Sequence, residues 1–249
     1  ARTYEYPTKH FVEFLEEQGI DSLAELDGYL IEQWKATRRD EVAPATYRSN
    51  VKHTKTFIGF CERSSLVKYG TFDSMEVPTI PESDQASHKK VSHGEAMRIE
   101  DYLETYEYAT RNHTMFSLLW ETGSRISGAL ALDDEDIGMT KGEYYIDFIN
   151  RRDAGTPLKN DTKSERRVTI SQDLYDLIED YRAIHQQEVT DEYGRTPLFT
   201  TEDQRIRRQL VYHHFAGLTR PCVYTGDCPH QRDIVECEAA QKKKKAYGC

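Results

Sequence analysis

For most of its length this chain repeats apolar residues every three to four positions, and over residues 144–170 it exchanges that rhythm for an extended pattern. The repeat places side chains on one face of a helix of about 3.6 residues per turn, whereas the exception is dense in types that favour strands. A chain so patterned is expected to be mainly α with a small β-sheet, an α+β fold.

Phe11, Phe14 and Leu15 follow Thr8 at i, i+3, i+4 spacing and Gly19 stops the run, which predicts a first helix of about three turns. Ser22 and Glu25 form a capping-box pattern ahead of Leu23, Leu26, Leu30 and Trp34, predicting a second. Pro44 suits a first helical turn, and Tyr47, Val51, Thr54, Ile58 and Cys61 mark the stripe of a third. Periodicity then lapses through Pro78, Pro81, Ser83, Asp84, Ser87 and the basic His88-Lys89-Lys90. Such a stretch predicts a linker over residues 79–91, between a helical domain at 1–78 and a second domain at 92–249.

In the second domain Ser92 and Glu95 form another capping box, opening a helix through Met97 and Leu103. A more buried helix is expected over residues 112–122, with Met115, Leu118 and Leu119 at apolar positions and Gly123 as its break. A short helix over 126–132 precedes two strands, at 144–149 and 167–170. Leu174, Leu177, Ile178, Tyr181 and Ile184 mark a further helix beginning at Asp173. After a loop at Gly194 and Pro197, a last helix over 203–218 carries Arg205, Arg207 and Arg208.

The chain's 43 acidic residues outweigh 33 basic ones, for a net charge of -10. That balance argues against a polyanionic partner only where charge is evenly spread. It is not: residues 35–68 hold eight Lys or Arg against Asp40, Glu41 and Glu62. Within them Arg48, Lys52 and Lys55, at i, i+4 and i+7, project from one flank of the third helix, as a solvated face or as a DNA-binding face turned to phosphates. The acidic total fits an ordinary acidic protein or one from a salt-saturated cytoplasm. No apolar run approaches the roughly 20 residues that span a bilayer, and nothing after Ala1 has a signal-peptide pattern, so the expectation is a cytoplasmic protein without a membrane partner.

Cysteine use is uneven. Cys61 reads as a small helix residue, while Cys222, Cys228, Cys237 and Cys249, with His230, crowd the last 28 residues. In a reducing compartment clustered thiols suggest zinc, but no C-x-x-C pair is present. Two readings stand: a structural zinc on these four cysteines, or thiols on an insertion over 222–249.

Thr122-Gly123-Ser124-Arg125, with Leu132 and Asp136-Ile137 downstream, resembles the first conserved box of the tyrosine recombinases, the phage-type integrases. The order of helical domain, linker, capped helix, box, strand pair and further helix agrees, and the resemblance covers roughly residues 8–220. Gly128 and Ala129 depart from it, standing where the family usually shows glutamate and leucine. The resemblance implies a SAM-like core-binding domain followed by a catalytic domain. It implies that Arg125 grips the cleaved phosphate and that a lysine at a hairpin turn protonates the departing oxygen. Lys159 and Lys163 compete for that role, with Lys159 preferred. It implies double-stranded DNA as partner, self-association on DNA, and a covalent phosphotyrosine that needs no metal or nucleotide.

In relatives the chain continues into a His-x-x-Arg box, another histidine or tryptophan, and the tyrosine nucleophile. His230-Gln231-Arg232 is one residue too short for that box, and Tyr247 has no box before it. The expectation is therefore a C-terminally truncated catalytic domain whose nucleophile lies past Cys249. Its alternatives are a catalytically inactive DNA-binding remnant and a zinc-dependent interaction module with no DNA role. The cysteine-bearing insertion resembles those of integrases from halophilic archaea.

Overall fold

Phe11, Trp34 and Val51, from three successive helices, form the centre of an N-terminal core. In the computed structural model, which describes residues 2–84 and 90–237, the chain divides into two units, residues 1–89 and 90–249. The first unit contains α1 (Arg2–Glu17), α2 (Gly28–Glu41), α3 (Pro44–Arg63) and the single turn α4 (Thr71–Ser74). Each fully buried side chain of this core contributes about 1.5–3 kcal/mol.

In this unit two helix starts differ from expectation. Helix α1 begins at Arg2, ahead of Thr8, and runs through Pro7. A proline inside a helix removes a hydrogen bond and crowds the preceding turn. Here that turn is held from outside: the Tyr4 ring meets His53 at 4.8 Å, and the Tyr6 hydroxyl accepts a 3.3 Å hydrogen bond from Arg38. Ser22, in turn, caps only the 3₁₀ turn Leu23–Glu25, and α2 is started by Asp27, whose carboxylate accepts from the Leu30 amide at 2.9 Å. Leu23 and Leu26 thus lie before the helix that carries Leu30 and Trp34, although Leu26 is still buried. Helix α3 begins at Pro44 as the sequence predicts.

The second unit opens with α5 (His93–Tyr106), where both halves of the Ser92–Glu95 capping box are formed. Its buried face is Ala96, Ile99 and Leu103, with Met97 turned outward. Then follow α6 (Arg111–Thr122), the single turn α7 (Ile126–Ala129), and an antiparallel sheet in the order β1 (Ile137–Thr140), β2 (Glu143–Phe148), β3 (Arg166–Ile170). Helices α8 (Gln172–Ile184), α9 (Arg208–Leu218) and α10 (Pro221–Thr225) complete the described part. Ile146, Phe148 and Ile170 of the sheet pack with Met115 and Leu118 of α6 and Leu177, Ile178 and Tyr181 of α8 into one core.

Sequence reasoning missed β1. Its four residues are too short for a periodic signal, and it pairs with β2 through a tight turn in which Lys141 and Gly142 both have positive φ (52° and 81°). The last helix is shorter than expected, starting at Arg208. Arg205 lies in extended backbone because its guanidinium is engaged by the Leu130 and Leu132 carbonyls, at 3.1 and 2.9 Å, and by Asp133. Among the described residues no helix is long and apolar enough to cross a membrane.

Candidate active site

The end of α6 decides where Arg125 points. Gly123 adopts a left-handed conformation (φ 58°, ψ 20°) and donates back to the Leu119 carbonyl at 3.0 Å, closing the helix. A Cβ here would meet nothing within 4 Å, so the backbone angle rather than crowding calls for glycine. The Thr122 hydroxyl donates to the Leu118 carbonyl at 2.6 Å and accepts from the Ser124 amide at 3.2 Å, fixing the reversal. Arg125 then stands as the N-cap residue of α7, exposed and without an ion pair among the described residues.

A second element brings a lysine to the same place. The connection between β2 and β3 is long, but side chains pin it at three points. Asp136, 2% exposed, accepts from both terminal nitrogens of Arg151, at 2.9 and 2.6 Å. That hydrogen-bonded pairing, which outweighs the cost of burial, raises the Arg151 pKa from its ordinary value. The Asn150 side-chain oxygen accepts from the Leu158 amide at 2.9 Å, and its backbone N–H donates to the Glu165 carboxylate at 2.9 Å. Arg152 grips Asp161 with two nitrogens, at 2.8 and 2.5 Å. Leu158, in the sheet core, then places the next residue, Lys159, at the cavity wall.

That cavity, of about 280 Å³, is lined by Arg125, Lys159 and Arg166, by Ser124, Ser127 and Ser164, and by the apolar walls of Phe148 and Leu158. Gly128 also borders it. A Cβ there would sit 3.4 Å from the Phe148 ring, so the small residue lets that ring close the wall. The Ser124 hydroxyl is buried with no hydrogen-bond partner. Lys163 is exposed on the 3₁₀ turn Asp161–Ser164 and is not part of the lining.

Sequence reasoning did not single out Arg166. The signal lay in strand register: Phe148 pairs with Arg166 and Asp147 with Arg167 across β2 and β3. Residues directly opposite share a face, so Asp147 takes Arg167, at 2.8 and 2.6 Å, and leaves Arg166 over the Phe148 ring, 4.6 Å from its centroid.

Of the other predicted site residues, Arg48 and Lys52 are exposed on α3, while Lys55 is half-buried with its ammonium 4.6 Å over the Phe72 ring. None of the three has an ion pair among the described residues. Cys222 and Cys237 are buried and Cys228 is half-buried, but among the described residues no group of three His, Cys, Asp or Glu could hold a metal ion. Cys249 lies outside the described residues, as do Ser87, His88 and Lys89 of the expected linker and Tyr247.

The phage integrase family model matches residues 89–222, more than half of the chain. Among solved structures the chain is similar to the XerH site-specific recombinase bound to its difH substrate (TM-score 0.59, 14% identity, 89% of this chain and 60% of that one). It is also similar to the Tn1549 transposon integrase in complex with transposon right-end DNA (TM-score 0.61, 13% identity, 90% and 73%). A third likeness is to a lambda integrase tetramer bound to a Holliday junction (TM-score 0.55, 11% identity, 82% and 54%). At these identities the likeness shows the fold, and the chain spans less than two thirds of the XerH and lambda integrase chains. No curated protein matches.

Proposed function

The chain belongs to the phage integrase family, and from that premise we propose that it acts on double-stranded DNA as part of a site-specific tyrosine recombinase. The observation that carries this is the shared cavity of Arg125 and Lys159, two cations from separate elements that no carboxylate of the described residues neutralises. A guanidinium offers paired N–H donors that match two phosphate oxygens, and it gains strength as negative charge develops there. A lysine ammonium beside it can protonate the departing 5′ oxygen. On this reading Arg125 holds the cleaved phosphate and Lys159, rather than Lys163, supplies the proton.

The covalent step needs a tyrosine hydroxyl, and residues 1–249 contain no His-x-x-Arg spacing of the kind that precedes it in the family. The step needs no metal or nucleotide, because the phosphotyrosine retains the energy of the broken bond. Zinc on the cysteines of residues 222–249 would be a structural addition.

The first unit, residues 1–89, would bind the duplex through Arg48, Lys52 and Lys55, with copies associating on DNA. Replacing these three by glutamate should weaken duplex binding and flatten its dependence on salt. Unchanged affinity would remove α3 from the interface. A chain carrying whatever sequence follows Cys249 should form a covalent adduct with a nicked target duplex. Binding without an adduct would instead mark a protein that occupies DNA but does not cut it. Stoichiometric zinc with no DNA affinity at any salt would overturn both readings.

A further inference from the structure

Four arginines sit on the strand pair β2–β3 and its connection. Three are committed to carboxylates: Arg151 to Asp136, Arg152 to Asp161 and Arg167 to Asp147. The fourth, Arg166, has no carboxylate partner among the described residues, and it alone of the four lines the cavity that holds Arg125 and Lys159. Its guanidinium is nonetheless ordered by its surroundings. It lies over the Phe148 ring at 4.6 Å, and one terminal nitrogen donates to the Ser164 carbonyl at 3.2 Å. An arginine has five N–H donors, so this single bond leaves the edge of the fork available. Phe148, 2% exposed and locked in the core, is a rigid platform, which reduces the conformational entropy lost when the fork meets an anion.

We propose that Arg166 is a third phosphate-binding residue of this site, presenting a preorganised guanidinium from β3 to the DNA backbone held by Arg125 and Lys159. The proposal rests on the reading of the cavity given above and adds to it a residue outside the box that carries Arg125. Arg167, its neighbour, does not share the role, because Asp147 already occupies its fork and its guanidinium stacks 3.5 Å over the Tyr145 ring.

The test uses the whole chain and a mixed-sequence DNA duplex, with affinity measured over a series of salt concentrations. Each phosphate contact contributes about 0.9 to the slope of log affinity against log salt. Arg166→Met keeps an unbranched stem against Phe148 and removes the charge, and it should flatten the slope by about 0.9. Arg166→Lys should hold the slope near the parent value, a rescue that a purely structural role would not produce. Arg167→Met should leave the slope unchanged. Thermal melts of each variant establish that the fold persists. If Arg125→Ala flattens the slope while Arg166→Met does not, Arg166 is a wall residue and the proposal falls alone. If neither variant changes the slope, the reading of the cavity as a phosphate site falls, and Arg166 with it.

Discussion

Two sets of charged residues in the second unit follow opposite logic. In the loops outside the sheet, Asp133 is 1% exposed and meets Arg151, Arg195 and Arg205, while Asp191 bridges Arg195 and Arg205 at 2.8 and 3.0 Å. Around the cavity, Arg125, Lys159 and Arg166 have no carboxylate among the described residues. Buried charges are tolerated only when paired and hydrogen-bonded, so the first set is committed to the fold. The second set repels itself and gains a counter-charge only from outside. One web fixes the loops and the other is proposed to bind an anion, although arginine predominates in both.

Breaking the web should have the largest effect. Asp133→Ala leaves Arg151, Arg195 and Arg205 with only Asp136 and Asp191 to share, one buried positive charge in excess, and should destabilise the protein by about 3–5 kcal/mol in denaturant titration. A loss below about 1 kcal/mol would mean that the web is not structural.

Acid should attack the same web next. Burial opposes ionisation of Asp191, but hydrogen bonds from the Arg195 and Tyr193 amides and from the Arg205 side chain outweigh it, holding its pKa below the ordinary carboxylate value. A lowered folded-state pKa gives stability that is full above the unfolded value of about 3.9 and is lost as pH falls through the folded one. Asp191→Asn should therefore reduce the acid sensitivity of unfolding below about pH 4. An identical pH profile would release Asp191 from this role.

The smallest stability change is expected at the cavity. Arg125→Ala removes no ion pair or side-chain hydrogen bond among the described residues and should shift stability by less than about 0.5 kcal/mol while weakening duplex binding. A large loss of stability there would erase the contrast between the two sets.

Much of the architecture could be read from local pattern. The stripe of α3, the Ser92–Glu95 box and the Thr122-Gly123 stop each depend on residues within a few positions of one another, and each has the expected role in the structure. The early start of α1 could not be read in the same way, because it depends on Arg38 and His53, far along the chain. At Ser22 the hydroxyl caps a 3₁₀ turn through the Ala24 amide in place of the expected box with Glu25, and Asp27 caps α2 instead.

What the sequence determined by itself was the mainly helical class with its small sheet, and the turn that frees Arg125, because helix periods, caps and a positive-φ glycine are local properties of the backbone. What only the tertiary structure decided was which cations stay unpaired. Arg166 and Arg167 are adjacent in sequence, and Lys159 and Lys163 lie in one loop, yet strand register and the Asp136, Asp161 and Asn150 anchors send one of each pair to the cavity. The reason is physical: a charge's partner is chosen by distance in space, and residues far apart in sequence set that distance.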